Sequence, residues 1–462
     1  MKSLLSKTVS VGNLLIGGGN PVAVQSMTNT DTLDTEATVA QSQRLFDLGC
    51  QLVRITAPGL KEAHNLENIK NRLVQKGYTG PLCADIHFLP EAASVAAQIV
   101  EKVRINPGNY CDRKTGKTEF SPAEQQAERE RIRERVFPLL EICQKHRTAI
   151  RIGVNQGSLS ERMISLYGNT PRAMVESALE FTDICQALGF DQIVVSMKSS
   201  RVRIMNEAVR MLAARMQENG TVYPLHLGVT EAGNGEDARL LSSIGIGGLL
   251  ADGIGDTIRV SLTEEPENEI PVAKRIVNAA RAVQQLPQDA RQEKHLNLDG
   301  QPLSEEQKTL AAIRLGKLML QGEKDGFHIN TKDSTEGERL LNDLLQAAGI
   351  KFHKTRFIAC PSCGRTKYDI QKALAQVKAM FPDYPNLTIA VMGCVVNGPG
   401  EMADADFGYI GCGNGKVNLY QKGIAAQRNV PEEKALEELK KLIHSSADAP
   451  FRDNPSSRNA EA

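Results

Sequence analysis

Tryptophan is missing from this chain, and aromatic residues make up only 4% of its 462 positions. A stacking platform for single-stranded nucleic acid depends on such rings, so the composition argues against that function. An excess of one charge is missing too, because Lys+Arg and Asp+Glu each number 55. With a formal net charge of zero there is no chain-wide attraction to nucleic acid, although local basic sites stay open. No apolar run is long enough to span a bilayer. Residues 1–20 lack a sustained apolar core and a clear cleavage site. No signal peptide is therefore expected, and the chain is expected in a reducing cytosol. Nine cysteines, an odd number and mostly scattered, argue against a disulfide framework and for reduced thiols with one metal site.

What is present is a repeated pattern. Short apolar, β-branched runs end in polar or charged residues, and amphipathic helical stretches follow them. The runs cover residues 22–28, 52–56, 82–88, 102–108, 149–155, 192–198, 225–233 and 245–253. Continuous apolar strands alternating with helices predict a parallel sheet covered by helices. Eight such units favour a (β/α)₈ TIM-type barrel over a doubly wound open sheet, which rarely needs so many. The charged stretch 124–146 reads as a solvated helix on the outside of the barrel.

A chain of this length exceeds one ordinary core, so a second domain is expected. The barrel is assigned to residues 1–286, with residues 271–286 as its closing helix. Residues 287–350 are polar with helical patches and read as an insert or interdomain connection. Residues 351–445 read as a smaller C-terminal α/β domain with cysteines in loops at strand ends. Residues 446–462, polar and rich in Ala, Pro, Asn and Ser, are expected to be disordered.

Cys360 and Cys363 form a C-x-x-C pair after an apolar strand, and Cys394 follows another strand. A turn can aim both thiolates of such a pair at one metal centre, and a third thiolate gives three corners of an iron–sulfur cubane. Residues 397–400 (Asn-Gly-Pro-Gly) let the backbone wrap closely around something bulky, and Glu401 closes that loop. A carboxylate corner would leave one iron displaceable, able to meet a substrate oxygen as a Lewis acid. Structural zinc, with Cys412 as fourth ligand, is the competing reading of the same cysteines. Cys50, Cys83, Cys111, Cys143 and Cys185 read as buried small hydrophobes.

Active sites of (β/α)₈ barrels lie at the C-terminal ends of the strands. There the sequence places Gln25, Asn29, Arg54, Asp85, His87, Arg104, Asn106, Arg151, Asn155, Lys198 and Glu231. Arg54, Arg104, Arg151 and Lys198 would converge as a cationic bowl suited to a diphosphate, because guanidinium forks pair two oxygens at once. Asp85 and Glu231 could polarise hydroxyls or hold the cations in place. Residues 252–259 offer glycine-flanked amides that could bind phosphate or merely turn the chain.

With these residues in view, the sequence resembles the 4-hydroxy-3-methylbut-2-enyl diphosphate synthase family of the non-mevalonate isoprenoid pathway. The matching segments are VQSMTNTDT, ADIHF, VRINPGN, IRIGVNQGSL, GVTEAG, LLADGIGDTIRVSLT, ACPSCGRT and GCVVNGPGE. The resemblance implies a (β/α)₈ barrel with a C-terminal 4Fe–4S domain. It implies reductive ring opening and dehydration of 2-C-methyl-D-erythritol 2,4-cyclodiphosphate, with reduced ferredoxin or flavodoxin as electron donor. It further implies that Cys360, Cys363, Cys394 and Glu401 ligate the cluster and that Arg54, Arg104, Arg151, Asn155 and Lys198 hold the diphosphate. Asp85 and Glu231 would face the methylerythritol portion. The family resemblance also implies a homodimer in which one subunit's cluster domain caps its partner's barrel, while the long segment 287–350 keeps open the rival in which one chain folds back onto its own barrel. The rival from another class is a non-redox barrel lyase or aldolase with a structural zinc domain. A non-enzymatic iron–sulfur carrier is disfavoured, because a carrier needs no cationic mouth.

Overall fold

The computed structural model describes residues 4–111, 116–364, 366, 368–394, 400, 402, 404–413 and 415–446. The chain opens with an antiparallel hairpin, β1 (Val9–Val11) and β2 (Leu14–Ile16). Eight strands follow: β3 (Ala23–Met27), β4 (Leu52–Thr56), β5 (Leu82–Asp85), β6 (Lys102–Ile105), β7 (Ala149–Asn155), β8 (Ile193–Lys198), β9 (His226–Leu227) and β10 (Thr257–Ile258). They pair in parallel in the order β8-β7-β6-β5-β4-β3-β10-β9. A parallel bridge between Val195 and Leu225 joins β8 to the start of β9 and closes the barrel. Residues on both faces of these strands are buried, which is why they read as unbroken apolar runs. The hairpin plugs the N-terminal end, where Val9, Val11 and Ile16 pack with Ala23, Leu52, Cys83, Ala149 and Val194.

One strand expectation is corrected. Residues 245–251 are helical, within a π-helix over Ser243–Gly247 and an α-helix over Gly248–Ala251, and residues 252–253 form a turn. An apolar run of this length does not by itself separate a buried strand from a buried helix. Its glycines serve close packing: a β carbon on Gly247 would lie 2.4 Å from Ile313, and one on Gly245 2.7 Å from Val202 and Val229. The eighth strand is the short β10, which leads directly into Arg259.

The helix Pro122–His146 starts at a capping box formed by Ser121 and Glu124 and turns Ile132, Val136, Leu139, Leu140 and Cys143 inward. Residues 287–350 hold the helices Glu305–Leu320 and Ser334–Ala347 and a parallel pair, β11 (His295–Asn297) and β12 (His328–Asn330). This segment packs on the barrel: Lys317 pairs with Asp252 at 2.5 Å, and Gly316 lies tightly against Ile244.

The C-terminal sheet runs β13 (Arg356–Ala359), β14 (Thr388–Met392), β15 (Phe407–Gly413), β16 (Lys416–Gln421) and β17 (Ile424–Pro431). Its first three strands are parallel and the last two antiparallel. The helices Ile370–Met380 and Glu432–Ser445 bury Leu374, Val377, Leu439 and Ile443 against it. The edge strand β17 escapes sequence reading because it is mostly solvent-facing and carries no apolar run. Of the expected tail, residues 447–462 lie outside the described residues. No described helix is long and apolar enough to cross a membrane.

Candidate active site

The strand ends bring the expected cations together. Arg54, Arg104, Arg151 and Lys198 line one cavity of about 80 Å³ with His87, Asn155 and Glu231. Such a cluster of positive charge stands only with counter-charge and hydrogen bonds. Asp85 provides the counter-charge. It is completely buried, pairing with Arg54 at 3.0 Å and Arg104 at 3.2 Å, with Arg151 at 4.0 Å. Asp85 therefore sits among the arginines as their anchor and does not line the cavity, unlike the expectation that it faces the carbon skeleton of a substrate. Arg104 also donates to the Gly153 carbonyl at 3.0 Å and to Asn155 Oδ1 at 3.5 Å, and lies 3.1 Å from His87 Nε2. Arg151 donates to Ser196 Oγ at 2.6 Å.

Two glycines make room for these side chains. A β carbon on Gly153 would come 2.5 Å from Arg104 Nε, and one on Gly228 2.9 Å from Lys198 Nζ. Burial, reinforced by Arg151, Arg54, Arg259 and Arg104, holds Lys198 well below the ordinary lysine range. Burial and then Arg54 and Arg104 likewise lower Arg151. A site that disfavours its own cations in this way is relieved by an anion.

Sequence reading missed Arg259 as a site residue. It lines the same cavity, held by Glu269 at 2.9 and 3.1 Å, while Ser26 donates to that carboxylate at 2.7 Å. Its signal was present, one residue beyond a strand end like that of Lys198, but the misplaced eighth strand hid it. Gln25, Asn29 and Asn106 are in structural hydrogen bonds, to Thr257, Gln41 and Ser158.

The thiols of Cys360, Cys363 and Cys394 line the roof of this cavity. None of the three is in a disulfide, and the Gly393 amide donates to Cys360 Sγ at 3.2 Å. Burial pushes the Cys360 thiol up, with Cys363, Cys394 and Glu231 adding to the rise. Three sulfurs facing one cavity, one of them already accepting a backbone N–H, form a donor set suited to an iron–sulfur centre. Among the described residues no three His, Cys, Asp or Glu meet at single-ion spacing. Glu401 and residues 397–399 lie outside the described residues. Cys412 is away from the cavity, 3.8 Å from Asn429 Oδ1 on the sheet.

Both walls come from one chain. Ala232 forms a parallel bridge with Ala359, Arg201 pairs with Asp404, and Lys378 donates to Asn234 Oδ1 at 2.9 Å. Within this single chain the C-terminal domain faces its own barrel, the arrangement that the long segment 287–350 kept open. The reason is local: the helix Ser334–Ala347 ends beside the barrel rim, and β13 begins there.

Comparison with known proteins agrees with this architecture. The family described as GcpE TIM-barrel domain matches residues 6–274, and the GcpE protein C-terminal domain matches residues 356–445. A 4-hydroxy-3-methylbut-2-en-1-yl diphosphate synthase (flavodoxin) of Phocaeicola vulgatus is 36% identical, covering 96% of this chain and 98% of the relative. A 4-hydroxy-3-methylbut-2-en-1-yl diphosphate synthase (ferredoxin) of Trichormus variabilis is 43% identical, covering 96% of this chain and 92% of the relative. Among solved structures, dihydropteroate synthase from Stenotrophomonas maltophilia covers 61% of this chain and 100% of its own at 14% identity and a TM-score of 0.41, too distant to bear on function.

Proposed function

The chain belongs to the GcpE family, and we propose from that premise how its residues divide the work of a 4-hydroxy-3-methylbut-2-en-1-yl diphosphate synthase. The reaction is the reductive ring opening and dehydration of 2-C-methyl-D-erythritol 2,4-cyclodiphosphate. The observation that carries the assignment is that a bowl of cations and three cysteines outside any disulfide line one cavity. An anionic substrate seated on the bowl is thereby held against the thiol-bearing roof.

Arg54, Arg104, Arg151, Lys198 and Arg259 bind the diphosphate, and Asn155 fixes Arg104 beside it. Asp85 acts as a positioning residue that holds the arginine forks apart at the correct spacing. Glu231 lines the cavity near Cys360 and is placed to bind a substrate hydroxyl or move its proton. Cys360, Cys363 and Cys394, with Glu401 as fourth ligand, would hold a 4Fe–4S cluster. When bound, that cluster supplies reducing equivalents and a Lewis-acidic iron. Flavodoxin or ferredoxin, the donors in the relatives' names, is the source of electrons. The working assembly is a homodimer in the cytosol.

Anaerobic purification followed by iron and sulfide analysis tests the reading. About four irons and four sulfides per chain are expected. Cys360→Ser should lose them, whereas Glu401→Ala should keep much of the iron and lose turnover. Colourless protein holding one zinc would overturn the assignment.

A further inference from the structure

A second cavity, of about 290 Å³, lies on the far side of the Ala232–Ala359 bridge. Three parts of the chain build it. The barrel gives the start of the helix Val202–Glu218 and the turn after β9. The segment 287–350 gives the end of the helix Ser334–Ala347. The C-terminal domain gives β13 and the helix Ile370–Met380. Its volume is close to the lower end of small-molecule sites, roughly 300 Å³.

The lining is both cationic and apolar. Arg201, Arg203, Lys354, Arg356 and Lys378 face only two lining carboxylates, Asp237 and Asp343. Lys354 takes both of these at 2.7 Å, and Arg201 is paired with Asp404. Among the described residues the other three cations have no carboxylate within ion-pair distance. Arg203 donates only to the Met319 and Ala348 carbonyls, at 3.3 and 3.5 Å. Lys378 donates only to Asn234, and burial lowers it from the ordinary lysine value. Arg356 feels Asp404 and Asp406 only at a distance, through charge alone. The first amides of the helix Val202–Glu218 receive no side-chain cap from Arg201. Against this polar wall stand Ile204, Leu241, Phe352 and Phe357, with Phe352 39% exposed. Cations without counter-charge beside an accessible apolar wall fit one ligand chemistry: a phosphate-bearing head on a short hydrocarbon chain.

We propose that this cavity is a second ligand site, for a short-chain alkyl or alkenyl diphosphate, separate from the catalytic bowl. Because its walls come from all three parts of the chain, occupancy favours the closed arrangement in which the cysteine loops face the barrel.

The probe is 3-methylbutyl diphosphate, titrated calorimetrically into the full chain carrying Arg104→Ala, which weakens the catalytic bowl by about one to two powers of ten. One saturable site of unweakened affinity should remain. Adding Arg356→Gln and Lys378→Gln should weaken it at least about tenfold, as expected for lost charge-assisted contacts. Ala347→Phe, which fills the cavity and leaves every charge in place, should weaken it as much; it is the check should the double variant melt early. Inorganic diphosphate should bind at least about tenfold more weakly than the probe, since it cannot use the apolar wall. No saturable binding in the Arg104→Ala chain would overturn the proposal. So would unchanged affinity in the folded cavity variants, or equal affinity for inorganic diphosphate. The readout is binding rather than turnover, so it does not depend on the reaction assigned above.

Discussion

The Ala359 amide donates to the Glu231 carbonyl oxygen at 3.2 Å. Glu231 lies beyond barrel strand β9, and Ala359 is the residue before Cys360, so this one bond ties the barrel rim to the root of the cysteine loop. Glu231 adopts φ +53, a left-handed conformation that a non-glycine residue holds only when its surroundings impose it. Neighbouring bonds supply that constraint. The Gly233 amide donates to the Ala359 carbonyl at 3.2 Å, and the Thr263 hydroxyl to the Cys360 carbonyl at 3.1 Å. A candidate catalytic carboxylate and a candidate cluster ligand are thereby registered by backbone rather than by flexible side chains.

Closure within one chain has a direct consequence for mixed assemblies. A chain carrying Cys360→Ser and a chain carrying Lys198→Ala are each expected to be inactive. Mixed after unfolding and refolding, then reloaded with iron and sulfide, they should stay inactive, because every site carries one defect. Turnover returning to an appreciable fraction of wild type would place the two walls on different subunits.

Gly400 tests the same closure sterically. A β carbon there would lie 1.9 Å from the Gly157 carbonyl oxygen, on the loop that follows β7. Backbone cannot yield as a side-chain tip can, so Gly400→Ala should hold the cysteine loop off the barrel mouth. The expected result is a fall in kcat of tenfold or more, on the order of 1.4 kcal/mol in the barrier. Cluster content should change little. Wild-type kcat would show that this approach is not required.

The bowl gives a third expectation. Arg259→Ala removes a cation and leaves Glu269, 1% exposed, without its main partner. Loss of one charge-assisted contact is worth roughly 1.5–3 kcal/mol. KM for the cyclodiphosphate should therefore rise by about one to two powers of ten, with a lower melting temperature. Asp85→Asn should raise KM as well, since it frees three guanidiniums from their common anchor. Iron content should be unchanged in both. A KM near wild type in both variants would remove the bowl from substrate binding.

Most of the barrel and its mouth was legible in the sequence because parallel strands buried on both faces leave unbroken apolar runs, each ending at the mouth. Arg54, Arg104, Arg151 and Lys198 could be read from that pattern alone. Arg259 could not, because β10 is two residues long and the glycine-rich helix before it imitates a strand. Asp85 was visible, but its place beneath the arginines was not, since strand position says little about depth. The second cavity was hidden for another reason. Its cations come from helix starts and domain joins, where no periodicity brings distant residues together.

Lys102 supplies the last expectation, about pH and stability. It is fully buried at the start of β6, its ammonium has no hydrogen-bond partner among the described residues, and burial lowers its pKa to about 8. The unfolded chain returns it to an ordinary lysine value of about 10.4. Between these values the unfolded state binds more protons than the folded state, so stability should rise with pH across that window. Below about pH 8 the charged form is present in both states, and its penalty for the fold is constant and at its largest. Each pKa unit corresponds to about 1.36 kcal/mol, which puts that penalty at roughly 3 kcal/mol. Lys102→Met keeps a long unbranched chain and removes the charge. At pH 7 it should raise the urea midpoint, and between pH 8 and 10 its stability should vary less with pH than the wild type's. Equal pH slopes for the two chains would mean that Lys102 keeps its charge in the folded barrel, neutralised by an anion or by buried water.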